Sequence, residues 1–135
     1  MKVLVDINVV LDVVLTRAPW VQDAASLLSA SEEGRIEGYI AGHTVTTLHY
    51  LVAKEKGRQA AATAVTDLLR IVRVVPLGDA DFQQALVLGL VDFEDAVQAA
   101  AAMKIGADFL ITRNVDDFRG IPIPVRTAGE ILAMI

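Results

Sequence analysis

Short apolar runs rich in β-branched residues alternate with longer helical segments along this chain, and that alternation limits the folds it can adopt. The runs that predict strands are "KVLVDINVV", ending near residue 6, then "RIEGYIA", "RIVRVVPL", "ADFLITRN" and a short edge strand in "IPIPVRT". Helical periodicity or capping residues mark segments 21–34, 42–57, 58–69 and 79–89, a further one from residue 92, and a last one from residue 127. Strands that alternate with helices favour a mostly parallel sheet covered on both faces. We therefore expect a single three-layer α/β domain over residues 1–135.

Composition excludes several kinds of site. The chain has no cysteine, and its two histidines, His43 and His49, are too few for a typical histidine-rich zinc site. A formal net charge of −5 argues against a protein that holds nucleic acid mainly by bulk electrostatics, although local arginines could contact it. No apolar stretch is long enough to span a membrane, and Asp6 comes too early for a signal peptide. We expect a cytoplasmic protein.

Acidic segments follow two of the predicted strands and begin one of the predicted helices. In open parallel sheets, ligands bind outside the carboxyl ends of the strands. The helix that starts in "DFEDA" precedes the fourth strand and runs antiparallel to it, so it begins at the same edge. Three separate segments are thus expected to converge on one rim. They supply Asp6 and Asn8, then Asp92, Glu94 and Asp95, and finally Thr112, Asn114, Asp116 and Asp117.

Each acidic segment also has a purely structural interpretation. Asp92 and Asp95 have the spacing of a helix cap, and Asp116 and Asp117 suit a turn. Asp6 is harder to explain in this way, because a carboxylate that ends a buried strand is costly unless it is paired or bound to a metal. Converging carboxylates raise one another's pKa unless a cation neutralises them. Oxygen ligands of this kind suit Mg²⁺ or Mn²⁺.

A divalent ion held by carboxylates at such a rim predicts phosphoryl chemistry. The metal would polarise a phosphate and lower the pKa of a bound water that attacks it. Asn8 and Asn114 could orient ligands or water, and Thr112 or Arg113 could contact a phosphate of RNA. Turn formation explains the asparagines equally well, and solvation explains the arginine.

Three stretches, in this order and spacing, resemble the PIN domain, and in particular bacterial VapC-like toxins. They are "VLVDINVVLDVVLTR", "DFEDAVQAAAA" and "ADFLITRNVDDF". The resemblance covers essentially the whole chain. It implies a five-stranded parallel sheet flanked by helices and an Mg²⁺- or Mn²⁺-dependent endoribonuclease. It also implies the toxin role in a type II toxin–antitoxin module, a cognate antitoxin as partner, and a homodimer.

The resemblance assigns roles to individual residues. Asp6 matches the acid of the first strand, Asp95 the acid that opens the helix before the fourth strand, and Asp117 the late acid. These three are the expected catalytic residues and metal ligands, with Asp116 and Asp92 as further ligands. Asn8 and Asn114 match positions where the family often carries polar residues that support the metal.

One departure concerns the helix after the second strand, where the family usually has a glutamate. Here "HTVTTLHYLVAK" contains no acid before Glu55, and His49 or Thr46 faces the region by rough alignment. Asp92 or Glu94 could compensate. Without compensation, the chain would be a catalytically weak PIN module that binds RNA or a protein. A third reading, a receiver-like or phosphatase-like domain, fits less well, because it requires an acid pair at the first strand and a lysine after a late one.

Overall fold

Five parallel strands form one sheet, as the sequence predicts. The computed structural model describes all of residues 1–135. Its strands are β1 (Lys2–Val5), β2 (Glu37–Ala41), β3 (Arg73–Val75), β4 (Phe109–Ile111) and β5 (Val125–Arg126). Their order in the sheet is β3-β2-β1-β4-β5, and every neighbouring pair is parallel. β1 is therefore central, and its carboxyl end lies beside that of β4.

Seven helices and one 3₁₀ turn connect the strands. The helices are α1 (Ile7–Val14), α2 (Val21–Glu32), α3 (Gly42–Lys56), α4 (Arg58–Ile71), α5 (Asp79–Val87), α6 (Phe93–Lys104) and α7 (Ala128–Leu132), and the 3₁₀ turn spans Val115–Phe118. Gly57 separates α3 from α4 with a φ of 91°, a conformation that glycine adopts without strain. No helix of the chain is long and apolar enough to cross a bilayer.

The two faces of β1 are buried against different helices. Val3 and Val5 belong to an apolar cluster with residues of α1 to α4, whereas Leu4 belongs to a second cluster with α6. Ala99 and Ala101 of α6 lie fully buried in that second cluster. Small side chains let a helix approach a sheet closely, because no bulky group separates the two backbones. The alanine-rich segment is therefore a packing surface of the core.

The structure corrects three local predictions. Residues 7–14 form α1, which the valine-rich sequence did not predict, because β-branched residues favour strands by propensity while burial here favours a helix. The fourth strand is shorter than "ADFLITRN", since only residues 109–111 pair. Asp79 is not the cap of α5, because Gly78 occupies that position and its N–H donates to Asp81. The capping box of Thr127 and Glu130 is confirmed at α7.

Candidate active site

The sheet brings Asp6 and Thr112 together at one edge. Asp6 follows β1 directly, Thr112 follows β4 directly, and the N–H of Asp6 donates to the carbonyl of Ile111 over 2.9 Å. Helix α6 packs against β1, β2 and β4, so its first turn reaches the same edge. The structure thus places the acids of the first strand and of the helix at one rim, where the sequence predicts them.

Hydrogen bonds hold both carboxylate oxygens of Asp6, which is only 1% exposed. Gln98 Nε2 donates to Oδ1 over 2.7 Å, and Thr112 Oγ1 donates to Oδ2 over 2.8 Å. Asn8 Nδ2 lies 3.5 Å from Oδ2, at the limit of a hydrogen bond. Burial raises the pKa of Asp6, although these donors lower it. The carboxylate is therefore fixed in orientation, and its ionised form is disfavoured by burial.

Gln98 is a site residue that the sequence analysis did not identify. It is 1% exposed on α6, and its Oε1 accepts no hydrogen bond. It lies three residues after Asp95, so the two share a helix face. The signal available from sequence was a polar residue in an otherwise apolar run, "AVQAAAA", three residues after an expected site acid. Gln98 ties the helix that carries Asp95 to the strand that carries Asp6.

The carboxyl group of Asp95 has the most strongly raised pKa of the rim acids. Burial first, and then the charges of Asp92, Asp6, Asp117 and Glu94, raise its pKa to about 7. All four acids belong to the segments that the sequence predicts at this rim, so their charges act on Asp95 as expected. No cationic group opposes the shift. Around Asp95 the rim therefore carries negative charge that no cationic side chain of the protein compensates.

The late acids lie on the exposed side of the rim. Asp116 and Asp117 line a cavity of about 270 Å³ together with Asp92 and Asp95. Asp116 is exposed and forms a 2.7 Å ion pair with Arg119. Asp92 also caps α6, since its Oδ1 accepts the N–H of Asp95 over 2.9 Å. The capping interpretation of Asp92 is thus correct, and one of its oxygens remains for other ligands.

Asn114 approaches this site through its backbone. Its N–H donates to Thr112 Oγ1 over 3.1 Å, while the same hydroxyl donates to Asp6. The Thr112 hydroxyl thus connects the loop after β4 to the carboxylate of Asp6, which follows β1. A role of the Asn114 side chain toward a metal stays a prediction.

Arg113 does not point freely into solvent as an RNA contact would. Its Nε lies 3.1 Å from Oδ2 of Asp12, a buried residue of α1, and its guanidinium stacks 3.8 Å from the centroid of the Trp20 ring. Arg17 Nη1 adds a longer contact of 3.9 Å to Asp12. Burial raises the pKa of Asp12, and the charges of Arg113 and Arg17 oppose that rise. The main role of Arg113 in the structure is therefore to form an ion pair with the buried Asp12.

Comparison with known proteins identifies the family. The sequence model of the PIN domain family matches residues 2–116, which are most of the chain. The chain belongs to the PIN domain family. No curated protein matches the sequence significantly.

Solved structures of PIN proteins share the fold. The VapBC2 complex of Rickettsia felis, bound to promoter DNA, matches with a TM-score of 0.75 and 15% identity over 94% of this chain and 98% of that one. A toxin–antitoxin complex from Klebsiella pneumoniae matches with a TM-score of 0.70 and 23% identity over 93% and 97%. VapC20 of Mycobacterium tuberculosis, which cleaves the sarcin–ricin loop, matches with a TM-score of 0.65 and 20% identity over 80% and 86%. The PIN fold of VapC toxins is therefore the fold of this chain.

The helix that usually carries the PIN glutamate places a different histidine near the site. His49 is exposed, and a rotation of about 100° per residue turns it roughly 120° away from His43 on α3. Both ring nitrogens of His43 are buried and make no well-aligned hydrogen bond, with the backbone of Glu94 nearby. Burial lowers the pKa of His43, while that backbone and the charge of Asp6 raise it. The structure therefore brings His43 toward the rim and leaves His49 on the surface.

The carboxylate oxygens of this rim are the type of ligand that a hard cation prefers, but they are not preassembled into a metal-binding cluster. No group of three or more acidic or histidine side chains is preassembled as a metal-binding cluster. The donor atoms are nevertheless carboxylate oxygens, and their mutual repulsion is what helps to raise the pKa of Asp95. A divalent cation would relieve that repulsion. The residues present therefore fit such an ion.

The raised pKa of Asp95 predicts how the metal-free protein responds to pH. A neutral Asp95 is favoured in the folded state, so its ionisation lowers the free energy of unfolding as the pH rises from about 4 to about 7. Allowing for solvent screening, we expect a loss of about 1–2 kcal/mol. Urea denaturation in EDTA at several pH values should show this loss in the wild type. The loss should be smaller by that amount in Asp95→Asn, where only the other buried acids still contribute, and equal slopes in both proteins would contradict the assignment.

Proposed function

We propose that this PIN protein is a metal-dependent endoribonuclease that hydrolyses RNA phosphodiester bonds. The observation that carries the proposal is the uncompensated acidic rim, in which a rigidly held Asp6 and a partly buried Asp95 lie at the carboxyl edge of the sheet. Negative charge repels RNA, so an acidic rim serves a nuclease only if a cation links it to the phosphate. We propose Mg²⁺ or Mn²⁺ for that role, because the donors are oxygens.

The residues divide the work according to their burial. Asp6 cannot reorient, because Gln98 and Thr112 occupy its two oxygens, and so it would define one fixed ligand position. Asp95, Asp117, Asp116 and Asp92 line the adjacent cavity and would complete the ligand set. A bound ion would supply Lewis acidity toward the phosphate and a more acidic water. Asn8, in the first turn of α1, and Asn114, in the loop after β4, would support this set.

A catalytically weak module that binds RNA or a protein is the second candidate. Its support is that α3 carries no acid before Glu55 and that no three donors form a ready cluster. In that case the rim would still bind a cation weakly, and RNA would be held without turnover. The two candidates differ in whether bound RNA is cut.

We further propose that the chain is the toxin of a toxin–antitoxin module. Similar folds were solved as toxin–antitoxin complexes, and this chain has an apolar groove of about 760 Å³ between α1, α2, α3 and α4 that such a partner could cover. Val10, Val13, Val14 and Val52 are among its lining residues. A homodimer and a cytoplasmic location stay predictions.

Metal dependence tests the nuclease. Purified protein should cut a generic single-stranded RNA in Mn²⁺ or Mg²⁺ and should be inactive in EDTA, because the rim cannot approach a phosphate while its charge is uncompensated. Restoring the divalent ion should restore cutting. RNA that binds in Mn²⁺, as measured by gel shift, but stays intact would favour the binding module instead.

A further inference from the structure

A second pocket lies beside the acidic rim, and the ribonuclease function as proposed leaves it unused. It has a volume of about 350 Å³, at the lower end of the range of about 300–1,000 Å³ found for small-molecule sites. Asp12, Trp20, Asp23, Arg113 and Thr127 supply its aromatic and polar lining. The pocket therefore combines a flat apolar surface with hydrogen-bonding groups of both kinds.

The pocket is joined to the rim through the chain itself. Arg113 in its wall follows Thr112, whose hydroxyl holds Asp6, and Val9 in its wall follows Asn8. The charge of Asp6 is also among the causes that raise the pKa of Asp12. A strand of RNA with a phosphate at the rim would thus carry a neighbouring nucleotide to this pocket.

Trp20 provides the stacking surface. It is 41% exposed although the guanidinium of Arg113 stacks on its ring at 3.8 Å. An arginine that is fixed on one face holds the indole in place, so a base that stacks there meets an ordered platform. Stacking on aromatic side chains accepts every base, and hydrogen bonds at the base edge then discriminate among them.

The polar groups of the pocket favour a ligand that brings N–H donors. Asp23 is exposed among the residues that line the pocket. Its carboxylate is an acceptor, and exocyclic amino groups of nucleobases are donors. Arg17 suits a phosphate of the same strand, because its side chain is 33% exposed and makes only a long contact of 3.9 Å to Asp12.

We propose that this pocket binds one nucleobase of the RNA, next to the scissile phosphate, and sets a base preference. The inference rests on the ribonuclease function proposed above. Trp20 is the stacking residue, and Asp23 reads the edge of the base. Neither residue belongs to the acidic rim.

Trp20 also provides the readout, because it is the only tryptophan of the chain. Homopolymeric RNA octanucleotides of A, C, G and U with non-hydrolysable phosphate linkages are titrated into the wild type in Mn²⁺, so that the ion can link the rim to the strand while cutting is blocked. A base that stacks on Trp20 should quench its fluorescence in a saturable way, with different affinities for the four bases. Binding of labelled RNA, seen as a rise in anisotropy, with unchanged Trp20 emission would overturn the proposal.

Variants separate stacking from base reading. Trp20→Leu should weaken RNA binding by about tenfold. Asp23→Asn, which keeps the size and changes the hydrogen-bonding groups, should alter the relative affinities of two bases by about fivefold or more. Tyr50→Ala removes an aromatic group that is 65% exposed on α3 outside the pocket, and it should change neither. If Trp20→Leu does not fold, the Asp23→Asn result decides.

The outcomes also separate this inference from the proposed function. Quenching by RNA without any cutting in Mn²⁺ would retain the pocket and remove the nuclease. Cutting in Mn²⁺ with the same base preference in the wild type and Asp23→Asn would retain the nuclease and overturn the pocket. Failure of RNA to change either fluorescence or anisotropy would overturn the pocket outright.

Discussion

Asp95→Asn is expected to reduce metal-dependent RNA cleavage by at least about 100-fold while the protein stays folded. Asparagine has nearly the same size, but it carries no charge and cannot supply an anionic oxygen to a cation. The carboxylate it replaces is the one on which the charges of Asp92, Asp6, Asp117 and Glu94 converge. Cleavage rates under single-turnover conditions in Mn²⁺ would measure the loss, and circular dichroism would report the fold.

The matched control for this variant is Asp67→Asn, an exposed acid of α4 outside the rim. It makes the same chemical change and should leave the rate unchanged. Calorimetric titration with Mn²⁺ should show weaker binding to Asp95→Asn than to the control. Equal cleavage by the two variants would show that Asp95 serves the fold and would remove it from the site.

The largest loss of stability is expected from Arg113→Ala. The substitution leaves Asp12 buried with only the longer contact to Arg17, and breaking a buried ion pair by removing one partner costs about 3 kcal/mol. It also uncovers one face of Trp20. Urea denaturation would measure the change in the free energy of unfolding.

Arg119→Ala is the natural control for Arg113→Ala. Arg119 pairs with Asp116 at 2.7 Å, but both side chains are highly exposed, so its loss should cost less than about 1 kcal/mol. Removing both partners of the buried pair in Asp12→Ala/Arg113→Ala should cost less than the sum of the single changes, because no charge is left alone. Additive losses would show that the pair is not the cause.

The sequence was sufficient for the sheet and for the position of the rim acids. Alternating strands and helices can be recognised from local periodicity, and a parallel sheet then brings all carboxyl ends to one edge. Asp6 and the helix that carries Asp95 followed from this rule alone. The rule does not predict which side chains face the interior, and the wrong predictions concern the orientation and burial of side chains.

Tertiary contacts account for the residues that were missed or misplaced. α1 contains valines that suit a strand, and only its burial between sheet and helices selects the helix. Arg113 was interpreted as a surface cation because its partner, Asp12, is about a hundred residues away. Gln98 and His43 face the rim through contacts to Asp6 and to the Glu94 backbone that no local pattern predicts.

The anchoring of Asp6 separates the rim into two mechanically different halves. Its backbone pairs with Ile111 and its carboxylate bonds to β4 and α6 neighbours, so it moves only when the core itself opens. Asp116 and Asp117 are exposed on the 3₁₀ turn, although Phe118 of the same turn is buried in the core. The two acidic side chains can therefore move toward a ligand while the backbone of the turn and the carboxylate of Asp6 stay in place. Adjustment of this site to a given RNA is expected to come from those two side chains.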